Sequence, residues 1–145
     1  MQQILNEYPV VLTQTLAWGD MDAYQHINNI VFFRYFQDAR VAYFEKIDLV
    51  TYKHKTNVGP VVASTTCDYR APLTYPDTIL IGVRTESIEG KRLTMKYCVY
   101  SESLDKIAAE GTALIVFYDF ESETSCSIPN EIVSLIEATE STLFS

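Results

Sequence analysis

A chain of 145 residues with 48% hydrophobic and 21% charged content has the size and make-up of one globular domain spanning residues 1–145. It is long enough to need neither disulfides nor a structural metal. A net charge of −8 and a pI near 4.6 exclude general nucleic-acid binding, which requires a concentrated basic surface, and disfavour an acidic carrier protein as partner.

Cys67, Cys98 and Cys126 lack CxxC spacing, and the opening MQQILNEYPV lacks the basic start and apolar stretch of a signal peptide. Both features point to a reduced, cytoplasmic setting. No stretch reaches the roughly 18 apolar residues of a membrane span, because Asn28, Asn29, Arg34, Gln37 and Asp38 interrupt the richest region.

In chain order, Val10 to Trp18 is rich in β-branched residues and reads as a strand ending at Gly19-Asp20. Asn28 or Asn29 offers an N-cap, and the stretch from Ile30 to Ile47 contains neither Gly nor Pro, which predicts a helix of about five turns. Apolar residues fall on nearly every face of it, so a helix enclosed by other structure is expected. Leu49 to Asn57 reads as a polar connection.

The period then changes to two. Val61, Ala63, Thr65, Cys67 and Tyr69 alternate with Val62, Ser64, Thr66, Asp68 and Arg70, and Pro72 to Asp77 breaks the run. Thr78 to Ile88 is a further strand, Glu89-Gly90 a hairpin turn, and Leu93 to Tyr100 its return. Ile107 to Asp119 is the last long strand, and Pro129 opens a short terminal helix. The order is strand, helix and four strands, an α+β arrangement in which a curved antiparallel sheet surrounds one long helix. No repeat or linker divides it.

The segment WGDMDAYQHINN, Trp18 to Asn29, concentrates two carboxylates, a histidine and two amides between a strand end and a helix start. Helix-start N–H groups suit a developing oxyanion, and a carboxylate nearby can attack a carbonyl or take a proton from water. GDMDAYQHINNIVFFRYFQDAR resembles the GDxDxxGHxNNxxYxxxFxxAR signature of the 4-hydroxybenzoyl-CoA thioesterase-like hotdog family, most closely from Trp18 to Tyr43.

The resemblance implies a hotdog fold of about five strands, hydrolysis of an acyl-CoA thioester without cofactor or metal, and homodimers or homotetramers with active sites at the subunit interface. It makes Asp22 the catalytic acid, as nucleophile or general base. It places the oxyanion donors at the helix start, among Gln25, Asn28 and Asn29, with Gln25 standing where the family pattern has Gly. Ser64, Thr65 and Thr66 fall on the strand that approaches the site from a partner.

Other residues carry weaker signals. Asp20 reads as a turn former bonding to backbone, and His26 as a bond across the loop or a substrate contact. Asn28 and Asn29 are ordinary capping types. Asp38 is the rival acid, with an ion pair to Arg40 the competing reading. Arg70, Lys91 and Arg92 are the candidate CoA-binding cations. The cysteines have no thiolate-favouring neighbour and read as packing, and His26 and His54 lack metal spacing. Phe32, Phe33, Tyr35 and Phe36 are core residues or the wall of an acyl pocket. The alternatives are a non-catalytic acyl-CoA binding module and a hydroxyacyl thioester dehydratase; the latter calls for a different order of His and acid.

Overall fold

The computed structural model describes residues 2–142. A 3-10 turn over Gln2–Glu7 leads into β1 (Val10–Thr15). After a turn at Trp18–Asp20 come α1 (Val31–Lys46), α2 (Leu49–Thr56), β2 (Val58–Tyr69), β3 (Thr78–Glu89), β4 (Arg92–Ser101) and β5 (Lys106–Asp119). The two-residue β6 (Thr124–Ser125) and α3 (Asn130–Ser141) close the chain.

The strands form one antiparallel sheet in the order β1-β3-β4-β5-β2, and β6 pairs with the end of β5 at Tyr118 and Asp119. Alternation of side chains explains the single core. Every second residue of β5, Ala109, Gly111, Ala113, Ile115 and Phe117, is buried, as are Leu93, Met95, Tyr97 and Val99 of β4. α1 packs on that face through Val31, Phe32, Tyr35, Phe36, Ala39, Tyr43 and Phe44. This is the α+β hotdog arrangement.

α1 is enclosed on its apolar side and open on its polar one. Arg34, Gln37, Val41 and Glu45 form an exposed stripe, and Ile30, just before the helix, is 65% exposed. Leu49 to Asn57 is a helix and not a polar connection. Asp48 and Asn57 take left-handed conformations at its two ends, which Asp and Asn tolerate, so the polar run is the outer side of α2 while Leu49 is buried. The first strand ends at Thr15 because Trp18–Asp20 turns.

Strict alternation also fails in β2. The register shifts between Val62 and Ser64, so Val62, Thr65, Cys67 and Tyr69 lie opposite the core-facing residues of β5, and Val61 and Ala63 are not part of that series. A bulge of this kind is invisible to a period-two reading. The β3–β4 hairpin turns at Gly90-Lys91, with Glu89 paired to Arg92 and Gly90 at φ 60°.

Two contacts seat α1. An ideal Cβ on Gly111 would lie 2.3 Å from the Phe36 ring and 2.5 Å from the Thr66 carbonyl oxygen, so only glycine admits the ring, which also stacks on Tyr97 with centroids 4.8 Å apart. At the other end, the buried Tyr43 hydroxyl donates to Glu140 Oε2 at 2.6 Å and accepts from Thr85 Oγ1 at 3.0 Å. The Thr85 N–H also reaches Glu140 Oε2, at 2.9 Å, tying α1, β3 and α3 together. Gly111→Ala should lower the unfolding free energy by about 3 kcal/mol, read as a shift of the urea midpoint. An unchanged midpoint would mean that the Phe36 ring is not clamped there.

Candidate active site

The segment between β1 and α1 crosses one end of the sheet and is held by backbone bonds. The Leu16 N–H donates to the Asp77 carbonyl at 2.9 Å and the Ile27 N–H to the Leu73 carbonyl at 2.8 Å. Met21 and Ile27 form a β-bridge, flanked by Asp22 N–H to His26 carbonyl and Asn28 N–H to Asp20 carbonyl, both 3.0 Å. Ile27, 5% exposed, plugs into the core. The Tyr69 hydroxyl donates to the Asn29 carbonyl at 2.8 Å and fixes the approach to α1.

Asp22 lies at the tip of this bridge. Its Oδ1 accepts the Tyr24 N–H at 2.9 Å, which orients the carboxylate and leaves Oδ2 free among the described residues. It lines an open cleft of about 590 Å³ with Trp18, Gly19, Met21, Gln25, Thr74 and Tyr75. Trp18 is 70% exposed, an unusual state for a large aromatic side chain. A second crevice of about 280 Å³ is bounded by His26, Asn29, Phe32, Tyr69 and Arg70, so the loop is a ridge between the two.

The N–H inventory narrows the oxyanion candidates. The Gln25 N–H donates to the Asp22 carbonyl at 3.0 Å, and that of Asn28 is engaged with Asp20. Of the three amides picked from the sequence, only Asn29 keeps an N–H with no acceptor among the described residues. The side chain of Asn28 does cap-like work, accepting the Ile30 N–H at 3.4 Å.

Several side chains sit differently from their expected places. Asp20 does not bond backbone through its carboxylate; it forms a two-point ion pair with Arg34, one contact of which is 3.3 Å. The ring of His26 is exposed and makes no bond across the loop among the described residues. Asp38 does not pair with Arg40: its Oδ2 accepts from Gln14 Nε2 at 2.8 Å, while Arg40 donates to the buried Tyr97 hydroxyl at 3.0 Å. Tyr35 and Phe36 are core, whereas Phe32 also borders the second crevice.

Ser64, Thr65 and Thr66 are exposed on β2, away from the Asp22 cleft of the same chain. Thr65 donates to the Thr112 carbonyl at 3.1 Å and Thr66 shares a 2.6 Å bond with the Thr112 hydroxyl. Arg70, Lys91 and Arg92 do not form one patch within a chain. Arg70 bonds the Ala108 carbonyl through its N–H, Arg92 pairs with Val116, and eight residues of β5 separate those positions, roughly 27 Å. Arg70 is neutralised by Glu110 at 2.9 Å, and Lys91 donates to Ser125 Oγ at 3.0 Å.

Burial raises the thiols of Cys67, Cys98 and Cys126 above their ordinary range, Cys98 to about 11, which leaves them protonated near neutrality. Among the described residues no three His, Cys, Asp or Glu side chains gather as metal ligands. Among the described residues no helix is long and apolar enough to cross a membrane. Sequence reasoning passed over Trp18, Thr74 and Tyr75 as cleft walls; the exposed Trp beside the acidic pair was the available signal.

The chain matches the family model of the thioesterase-like superfamily over residues 16–136. It belongs to that superfamily. It is a thioester hydrolase by this membership.

Among solved structures, a Thermus thermophilus thioesterase complexed with coenzyme A and Zn is similar at TM-score 0.81 and 29% identity, over 92% of this chain and 96% of the other. The Escherichia coli long-chain acyl-CoA thioesterase FadM is 22% identical over 117 residues, 81% of this chain and 89% of FadM. The uncharacterized Bacillus subtilis protein YsmA is 30% identical over 83 residues, which span 57% of this chain and 55% of YsmA.

The thioesterase's bridge loop rests on its apolar plug more than on its ion pair. Ile27→Ala should cost about 3 kcal/mol, whereas Asp20→Ala, which removes a pair with Arg34 half exposed, should cost less than about 1 kcal/mol. Thermal unfolding of the two variants checks the ranking, and a larger loss for Asp20→Ala would reverse it.

Proposed function

We propose that the chain hydrolyses acyl-CoA thioesters to a free carboxylic acid and CoA, with Asp22 as the acting carboxylate. One observation carries this reading: an oriented carboxylate with a free oxygen stands on the wall of an open cleft, on the same ridge as an uncommitted helix-start N–H at Asn29. A thioester laid across the ridge would offer its carbonyl carbon to Asp22 and its oxygen to the Asn29 amide, at the positive end of α1.

As a general base, Asp22 takes a proton from water while the water oxygen bonds to the carbonyl carbon. The C–S bond then breaks, and the CoA thiolate leaves and recovers the proton. As a nucleophile, Asp22 forms a mixed anhydride with the acyl group and expels the thiolate, and water then cleaves the anhydride. Water is the only co-reactant in either route, and neither calls on a metal or cofactor. Coenzyme A in the Thermus thermophilus relative and the long-chain acyl-CoA activity named for FadM support CoA as the thiol.

The working unit in this reading is a dimer or a tetramer, with the site completed across β2. That strand is twelve residues long, sits at the sheet edge and exposes Val61 through Thr66. A long bare edge is a template for pairing with another strand, and a second copy would bring its Ser64, Thr65 and Thr66 toward the loop. Three cysteines without a disulfide fit a reducing, cytoplasmic setting.

Asp22→Asn keeps an acceptor for the Tyr24 N–H while removing the base and nucleophile. Thiol release from a panel of acyl-CoAs should fall at least about 100-fold, with the fold retained by circular dichroism. Equal rates in wild type and variant would remove Asp22 from the mechanism. Repeated turnover in oxygen-18 water tests for the anhydride: water attack at its Asp22 carbon leaves label in the Asp22 carboxyl group, which the general-base route never does.

A further inference from the structure

Gln25 is held at φ 64°, a conformation that glycine adopts freely and a residue with a Cβ does not. Its N–H bond to the Asp22 carbonyl is a backbone bond that glycine would make equally well. The side chain does not compensate within the fold, because its carboxamide makes no hydrogen bond among the described residues. Asp48, Asn57 and Asp105 share the left-handed conformation but are of the types that tolerate it, and the Asp105 carboxylate also accepts the Tyr100 hydroxyl; Glu123, at φ 59°, is the other residue outside those types, and it lies in the exposed turn before β6. Of the two, only Gln25 lines the Asp22 cleft, so there a strained backbone carries an unbonded side chain at the site.

We infer that Gln25 sets the size of the acyl group admitted beside Asp22, and that it favours a short one. This rests on the thioesterase reading of the cleft. Trp18, Met21 and Tyr75 give the cleft apolar walls suited to hydrocarbon. The Gln25 carboxamide stands where a glycine would leave open space. A long acyl chain must either displace it or strip its water without supplying a hydrogen bond, which is costly; a short chain ends before reaching it.

The test compares Gln25→Gly and Gln25→Ala with wild type, using butyryl-CoA and octanoyl-CoA. Both variants remove the carboxamide, so in both the octanoyl to butyryl ratio of kcat/KM should rise roughly tenfold. Only the glycine variant relieves the backbone, so only it should also gain in Tm. An unchanged ratio in both variants, with Tm raised in the glycine variant alone, would overturn the inference and leave Gln25 a turn residue.

Binding is read separately through Trp18, the single tryptophan of the chain and a wall of the same cleft. Should wild type cleave neither thioester, the proposed activity fails while the inference stands, provided octanoyl-CoA shifts Trp18 emission at lower concentration in both variants than in wild type. Equal Kd in the three proteins, or no emission change in any, would overturn it.

Discussion

The seat of α1 against the sheet is the constraint from which the rest follows. Gly111 lets the Phe36 ring come within van der Waals reach of the β5 backbone, and the ring stacks on Tyr97 of β4. With the middle of the helix fixed there and its far end tied to Glu140, the first turn has no freedom to slide. Asn29, two residues before that turn, has an amide without an acceptor among the described residues, and the Tyr69 hydroxyl holds its carbonyl. A core contact remote from the carboxylate therefore decides where an oxyanion could be held.

The ridge loop is organised by accounting for its own backbone groups. Asp22 N–H, Gln25 N–H and Asn28 N–H all find acceptors inside the loop, which keeps a polar segment compact without burying it. The same economy removes two of the three amides that helix-start reasoning offered as oxyanion donors. It also explains why the Asp20 side chain is free to pair with Arg34: its carbonyl does the turn-forming work that its carboxylate was expected to do.

Much of this was legible in the sequence, for physical reasons that differ by element. The long strands announced themselves by alternation, since β4 and β5 are buried on one face with few interruptions. The loop was legible because carboxylate, histidine and amides cluster between a strand end and a helix start. What stayed hidden depends on tertiary partners. The bulge at Val62/Ser64 changes which face Val61 presents without altering composition, and the polar residues of α2 look like a connection until Leu49 is seen to anchor it. Arg40 reads as a partner for Asp38 by proximity in sequence, yet its partner is Tyr97, fifty-seven residues away.

Electrostatics adds an argument about assembly. A chain with net charge −8 needs a local cationic surface to attract a polyanionic nucleotide, and Arg70, Lys91 and Arg92 do not gather into one within a copy, because Arg70 lies at one end of the sheet and Lys91 and Arg92 at the other. In the proposed dimer, β2 pairing antiparallel with β2 of a second copy would bring these ends together. A two-fold axis through the edge swaps the ends, so the Tyr69 end of one β2 lies beside the Val58 end of the other. Val58 sits opposite Asp119 of β5, and the Gly90-Lys91 turn of the same chain adjoins that end of the sheet. Arg70 of one copy then faces Lys91 and Arg92 of the second across three strand spacings, about 14 Å. In that arrangement Arg70, paired with Glu110, would share each end of the joined sheet with Lys91 and Arg92 of the second copy.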